Sequence, residues 1–572
     1  MKRLSLTLAV SLFLSASWTA IAQEAQPKRE GVISGRVVAD DGQPMGGAQV
    51  IAVGASGLLV IGAARMTNCD ANGNFKVTGL SHSVYSIIAR APGYVPVQDQ
   101  SRKYRIGEGA IIRVAKGGVI TGRVTDEFGE PMVGVRVSAD RVRDPEGKPD
   151  TSVSAMNEMN SSRSTDDRGV YRIYGLEAGA YVVCVNGASQ LFVGPGQTSR
   201  ELPTYHPSSP RGAAVEVNLR GAEEVVGVDI RARSGRGRSI SGTVSGEAQG
   251  EGLIDGIAVM LYGAADKHLA GTTTLVGGRN FSLRGVEDGE YELMAMRFSE
   301  SMDFALSAPR KVVVRGADLN GIELKLLKLG SVSGRVVIEA PNAECKTADQ
   351  LKVEETLIEL KRDDRTPSVF ASGLFPMEVG MSLGVATPEK DGGFTLKNLE
   401  AGRHWINTDL PDENWYIRAI TRAATPKPVD VSRSGVTLKQ GEKISGIEMI
   451  IAQGAASLSG RVIPSGEGAQ LPKRLRVHLI PAETAAAENL LRYAESPVRG
   501  DGSFEFKHIA PGKYLLRAWQ SSEKGANDDQ SRPDALDAVE RAKLRREAEA
   551  AKNEIELKAC DRLKDYILRF NR

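Results

Sequence analysis

A five-residue strand pattern, apolar-x-Gly-x-Val, returns five times along this chain, and repetition on that scale points to one folding unit used repeatedly. It reads Ile33-Ser34-Gly35-Arg36-Val37, Ile120-Thr121-Gly122-Arg123-Val124, Ile240-Ser241-Gly242-Thr243-Val244, Val332-Ser333-Gly334-Arg335-Val336 and Leu458-Ser459-Gly460-Arg461-Val462. Period-two alternation puts the apolar residues and the Gly on one face, with Ser or Thr and Arg on the other. An inward Gly lets another backbone approach closely, or marks a bulge. The outward Arg is a solvated strand residue or a ligand contact.

The rest of each unit repeats too. Asp70-Ala71-Asn72-Gly73, Asp166-Asp167-Arg168-Gly169, Asp391-Gly392-Gly393 and Asp501-Gly502-Ser503 carry tight-turn chemistry before an aromatic or apolar strand. A calcium loop would need a later bidentate Glu, which is missing at the required spacing. A Gly-x-Tyr strand follows at Tyr181, Tyr291 and Tyr514. Its ring is expected in the core, with the hydroxyl at the edge. Each unit ends in strand, short turn, strand, as in Val436-Thr437-Leu438 leading into Ile447-Glu448-Met449.

The marker glycines 35, 122, 242, 334 and 460 stand 87, 120, 92 and 126 residues apart. That spacing suits one sandwich of about 100 residues per marker. We therefore expect an all-β fold, a tandem array of five immunoglobulin-like or transthyretin-like β-sandwiches with one C-terminal surface helix. The expected units are 31–116, 117–236, 237–329, 330–455 and 456–572, after a linker at 23–30. A helix at 533–552 is inserted in the last. Short junctions at 113–120 and 451–458 suggest a stiff rod, loosest at the Arg- and Gly-rich 232–239.

Taken together, the Ser/Thr-Gly-Arg-Val strand, the Asp-x-x-Gly-x-Phe/Tyr hairpin and the Gly-x-Tyr strand resemble carboxypeptidase regulatory-like domains. The resemblance implies a transthyretin-like sandwich, near the carbohydrate-binding-like folds, that serves as an accessory module. Units three and four depart from the pattern at Thr243 and at His404, which takes the Tyr place.

The N-terminus predicts export. Lys2 and Arg3 precede an apolar stretch at 4–14 and the small-residue site Ala20-Ile21-Ala22, so residues 1–22 read as a signal peptide. The mature protein is expected in the periplasm, on the outer surface or secreted, with no transmembrane span. Lys and Arg number 73 against 71 Asp and Glu, which gives no electrostatic case for nucleic acid. Cys69, Cys184, Cys345 and Cys560 form no C-x-x-C pair. In an oxidising compartment they allow up to two disulfides in three connectivities, or remain as thiols.

Chemistry is sparse. None of the six histidines has a Glu or His at zinc-ligand spacing, and no nucleophile elbow or phosphate loop occurs. The sequence calls for no catalytic residue, cofactor or metal. Aromatic side chains are the candidate ligand contacts. Strand alternation turns Trp405 away from the core unless a bulge reverses it, Trp415 and Tyr416 lie near, and Tyr205 sits in a polar loop at 187–210. A second polar loop spans 141–164, and an apolar loop, packed or partner-binding, spans 369–385. Arg231, Arg233, Arg236 and Arg238 form a basic cluster suited to a solvated linker or an anionic polysaccharide. The resulting expectation is an exported, non-catalytic binding or scaffold protein of the cell envelope, with a polysaccharide or envelope protein as partner. The alternative is a secreted hydrolase with its site in the loops of units two and four.

Overall fold

The computed structural model describes residues 31–55, 64–81, 83–97, 102–150, 162–187, 201–246, 256–298, 303–340, 345, 351–363, 384–424, 426–465, 470–472, 474–520 and 538–570. The signal-peptide and linker expectation at 1–30 lies outside them. Five hydrophobic cores follow one another along the chain. They run from Ile33 to Val114, Ile120 to Ala232, Ile240 to Leu326, Val332 to Ile451 and Ala456 to Leu568. The protein is an all-β tandem array of five sandwiches, here modules 1 to 5, with a C-terminal helix Ala538–Ala551.

Every module is built on the same opening strand: Gly31–Ala39, Gly118–Thr125, Arg238–Gly246, Gly330–Ile338 and Ala456–Pro464. Each pairs antiparallel with the strand after the hairpin turn, an Asp turn in all but module 3, and parallel with the strand that closes the module. The register repeats. Gly35, Gly122, Gly242, Gly334 and Gly460 stand opposite Phe75, Tyr171, Phe281, Phe394 and Phe504. On the other side the closing strand presses against them. A Cβ at the five positions would lie 1.9, 2.1, 1.8, 2.2 and 2.1 Å from the carbonyl oxygens of Ala110, Val228, Ile322, Ile447 and Tyr566. Only glycine permits that approach, and the closing strand is irregular in register at Gly242, Gly334 and Gly460.

The repeated polar residues hold the same frame. Asp70 Oδ1 accepts from the amides of Asn72 and Asn74 at 2.9 and 2.8 Å. Asp166 Oδ1 does so from Arg168 and Val170 at 2.9 and 2.8 Å. Gly73 and Gly169 supply φ values of +76° and +75°. These backbone donors hold the Asp70 and Asp166 carboxyls below the usual carboxylate range. The outward Arg lies over this turn. Arg36, Arg123 and Arg335 donate from Nε to the carbonyls of Asn72, Arg168 and Asp391 at 2.9, 3.0 and 3.0 Å. Tyr181, Tyr291 and Tyr514 donate to the carbonyl four residues back, Glu177, Glu287 and Ala510, at 2.8, 3.0 and 2.6 Å. In module 4 the buried His404 replaces that Tyr.

The closing strand, turn and strand cross between sheets. Val436–Leu438 pairs with Gly402–Asp409 in the second sheet, and Lys443–Gln453 pairs with the opening strand in the first. In module 3 the strand Ala305–Ser307 bridges Gly289–Phe298 and Leu319–Lys328 and joins the two sheets into one of eight strands.

Consecutive modules dock through polar contacts. Arg211 of module 2 reaches Asp266 of module 3 at 2.8 Å, and Phe304 of module 3 donates its amide to Asn398 of module 4 at 2.9 Å. A straight rod is not what results. Arg105 of module 1 donates to the carbonyls of Glu355 and Asp409 in module 4 at 3.1 and 3.3 Å. A short junction fixes the angle between neighbours and does not require that angle to be straight, so side-on docking brings module 1 back onto module 4.

The helix lies on the outer face of the module 5 second sheet, with Leu544 and Ala548 packed on Ile480 and Leu515. On that same face His478 is 2% exposed, beside Arg476 and Glu495, which are ion-paired at 2.6 Å. Burial, aided by Arg476, pushes the His478 pKa down from 6.5 to about 4.

Two outcomes follow from this frame. Gly334→Ala should lower module 4 stability by about 2–3 kcal/mol, read as a lower urea midpoint of the fluorescence of the buried Trp405 and Trp415. The exposed Thr395→Ala should shift it by less than about 0.5 kcal/mol. Because His478 binds its proton more weakly folded than unfolded, its contribution is complete above pH 6.5. It should be lost as the pH falls to about 4, at a cost of up to about 3 kcal/mol to module 5. Urea unfolding of His478→Gln between pH 7 and pH 4 should show that dependence much reduced.

Candidate functional site

The aromatic residues singled out in the sequence are largely enclosed. Trp405 lies in strand Gly402–Asp409, whose register against Leu357–Arg362 is unbroken. No bulge turns it, so it faces away from Ile406 and the core. That outer face is nevertheless closed: Trp405 is 8% exposed, with the Arg403 guanidinium 4.4 Å above its ring. A sugar has no open ring face to stack on there. The loop at 369–385 lies outside the described residues except for Gly384 and Val385.

Trp415 is 3% exposed and belongs to the module 4 core. The segment around it is the seat of module 5. Trp415 O meets His508 Nδ1 at 2.9 Å. Asn414 accepts from Gly454 and Ala455 at 2.8 and 2.9 Å, and Arg562 donates to Asn414 Oδ1 at 2.5 Å. Half-buried Tyr416 sits beside Arg418 and near Arg492 of module 5, and burial raises its phenol pKa. Cys345 and Cys560 cross-link the same two modules, with their Cα atoms 5.9 Å apart. Of the three connectivities left open by the sequence, this pairing leaves Cys69 and Cys184 as buried thiols.

Tyr205 is 4% exposed and serves the joint between modules 2 and 3. Arg211 lies 5.5 Å over its ring and bridges Asp140 at 2.9 Å and Asp266 at 2.8 Å, and His268 sits on Asp266. Beneath them Cys184 Sγ is 3.1 Å from Ser138 Oγ, and burial raises the thiol pKa to about 12, which keeps it unreactive. Residues 188–200 of that polar loop and 151–161 of its companion lie outside the described residues. The basic cluster is also engaged: Arg233 pairs with Glu287 of module 3, and Arg231 with the Glu127 carbonyl.

A concave surface remains on the first sheet of module 4, a groove of about 940 Å³. Outward positions of four strands line it, including Ser333, Arg335, Thr395, Lys397, Thr421 and Glu448. Hydroxyls, two cations and carboxylates face into it together. Sequence reasoning missed it, because each of these residues reads as an ordinary solvated strand position and only the twist of the sheet brings them together. Among the described residues no group of His, Cys, Asp and Glu is placed to hold a metal ion, and no helix is long and apolar enough to cross a membrane.

Comparison with known proteins adds the following. No curated protein matches the chain. Among solved structures, the Bacillus anthracis TIE protein is similar at 12% identity over 52% of this chain and half the length of that one, with a TM-score of 0.14. The shaft pilin SpaA of Lactobacillus rhamnosus GG is similar at 11% identity over 36% of this chain and 98% of its own, with a TM-score of 0.17. The major pilin subunit BcpA of Bacillus cereus is similar at 11% identity over 52% of this chain and 99% of its own, with a TM-score of 0.14. At such scores these likenesses carry no argument about function. The family model for the carboxypeptidase regulatory-like domain matches residues 32–115, the span of module 1 with its Ser34-Gly35-Arg36-Val37 strand and Asp70 turn. Over residues 32–115 this chain is similar to a carboxypeptidase regulatory-like domain.

Proposed function

We propose that this protein is an exported, non-catalytic scaffold of the cell envelope, built from five modules with limits at 31–116, 117–236, 237–329, 330–455 and 456–572. One observation carries the reading: most of the arginines that recur or cluster along the chain hold turns and joints. Arg36, Arg123 and Arg335 hold hairpins. Arg211, Arg233 and Arg562 tie one module to the next. Such joints fix distances between modules, which is what a scaffold supplies. The disulfide between modules 4 and 5 fits an oxidising compartment and therefore export.

We assign the binding function to the module 4 groove rather than to the enclosed Trp405, Trp415, Tyr416 or Tyr205. Its mixed hydroxyl, cationic and anionic lining suits a polar, extended ligand, and an envelope polysaccharide is the class proposed. Among the described residues its outward lining offers no aromatic platform, so the groove should bind sugars weakly, and retention should depend on many sites along a polymer.

Co-sedimentation of the full chain with insoluble envelope polysaccharide checks this. Wild type should be retained, a Thr395→Arg/Glu448→Arg variant should lose most of that retention, and no new reducing ends should appear. Absent retention, or equal retention of both proteins, would remove the groove as the site. Release of reducing ends would overturn the non-catalytic reading.

A further inference from the structure

Among the described residues, four joints in this array link modules that are neighbours along the chain. The fifth does not. Module 1 touches module 4 across more than two hundred residues of sequence, so modules 1, 2, 3 and 4 contact one another in a closed cycle.

The contact has a polar centre and an apolar flank. Arg105 ends the short edge strand Lys103–Arg105 of the module 1 second sheet. Its side chain is only 12% exposed. Nε donates to Glu355 O at 3.1 Å and Nη2 to Asp409 O at 3.3 Å, while Nη2 also pairs with the Asp409 carboxylate at 3.0 Å. Glu108, on its own module, is 3.9 Å from Nη1. Beside this fork Ala55 and Val84 of module 1 are buried with Leu357 of module 4, and Val385 packs against them.

The other joints are held differently. Between modules 4 and 5 there is a disulfide, and Arg562 donates to the Glu413 and Ala455 carbonyls and to Asn414 Oδ1. Between modules 2 and 3 the chain itself passes through the joint, beside Arg211 and Arg233. The module 1 to module 4 contact has neither a covalent link nor a short tether. Among the described residues one arginine fork and four apolar side chains hold it, and the cost of keeping two distant modules together is set against them. Separating these faces breaks no covalent bond and unfolds neither core, because Arg105, Ala55 and Val84 come from a sheet whose own core is complete.

We propose that this contact is a releasable clasp with Arg105 as its latch, which switches the array between a closed four-module cycle and an open chain. The proposal rests on the scaffold reading, since a clasp matters only where the array sets a distance. Release lengthens the reach of module 1 from module 4 and uncovers Val84 and Leu357. Two discrete arrangements separated by a small interface are the kind of bistable element that a partner or ligand can bias.

Spin-label distances in the full chain test it. Met66→Cys in module 1 and Val429→Cys in module 4 offer exposed label sites, 64% and 46% exposed, while Cys69 and Cys184 are buried. Val429→Cys with Ile567→Cys reports the disulfide-linked modules 4 and 5 as a control. Without further changes the first pair should give one narrow distance distribution. Arg105→Glu should broaden it and lengthen its mean by roughly one module radius, about 13 Å, and adding Asp409→Arg should restore it. The rescue separates a lost latch from a misfolded module. A distribution unmoved by Arg105→Glu overturns the latch. A broad distribution without that change, beside a narrow control, overturns the clasp alone. Broad distributions for both pairs overturn the scaffold reading with it.

Discussion

Each module is closed by the parallel pairing of its first strand with its last, and that pairing requires a backbone carbonyl to sit where a Cβ would otherwise be. Between Gly334 and the Ile447 carbonyl there is no room for even a methyl group, and the same holds at the four sister positions. The consequence is topological. The first strand cannot complete its sheet until the chain has made the hairpin, the second sheet and the crossing back. Closing the module therefore costs a long loop. Closure also leaves entry and exit strands side by side, so the next module begins where the last one ends. A tandem array with short junctions is the natural product of such a unit.

The polar residues that recur serve this closure. The Asp of the hairpin saturates the amides of its own turn, the outward Arg covers the turn from the opening strand, and the Tyr hydroxyl ties the start of its own strand to the carbonyl four residues back. In module 4 the outward Arg335 and the hairpin Asp391 also line the groove. What distinguishes the modules is found at their surfaces: an arginine fork, a disulfide, a helix on an outer face, a groove. Function in this chain is carried by the spaces between repeats and by departures from the repeat.

Legibility of the sequence follows the same division. The strands, the hairpin turns and the core position of Tyr514 were readable because each depends on residues within a few positions of one another, and five copies reinforce the pattern. The close approach at Gly35 and its sisters was readable as a possibility, since an inward glycine in a strand has few other uses. Trp405 marks the limit. Alternation places it correctly on the outer side of its sheet, but whether an outer side is open depends on what packs over it, which no local pattern encodes. Trp415 and Tyr205 likewise look like ligand platforms until their own modules fold around them, Trp415 in the module 4 core and Tyr205 against Val182 and Cys184. Arg105, Arg211 and Arg562 gave no signal, because a joint needs one arginine and an acceptor on another module, and that pairing leaves no spacing rule in the sequence. The rod failed for the same reason: junction length constrains how far neighbours separate and says nothing about the angle at which they dock.

In each module the first and last strands belong to one cooperative unit. Amide hydrogen exchange of the full chain in mild denaturant reads this directly. In each module, peptides covering the opening and closing strands, such as Ala456–Pro464 and Arg562–Phe570 in module 5, should lose protection together. Their common rate should differ from that of the other modules. Opening and closing strands that exchange at unrelated rates within a module would contradict the closure on which everything above is built.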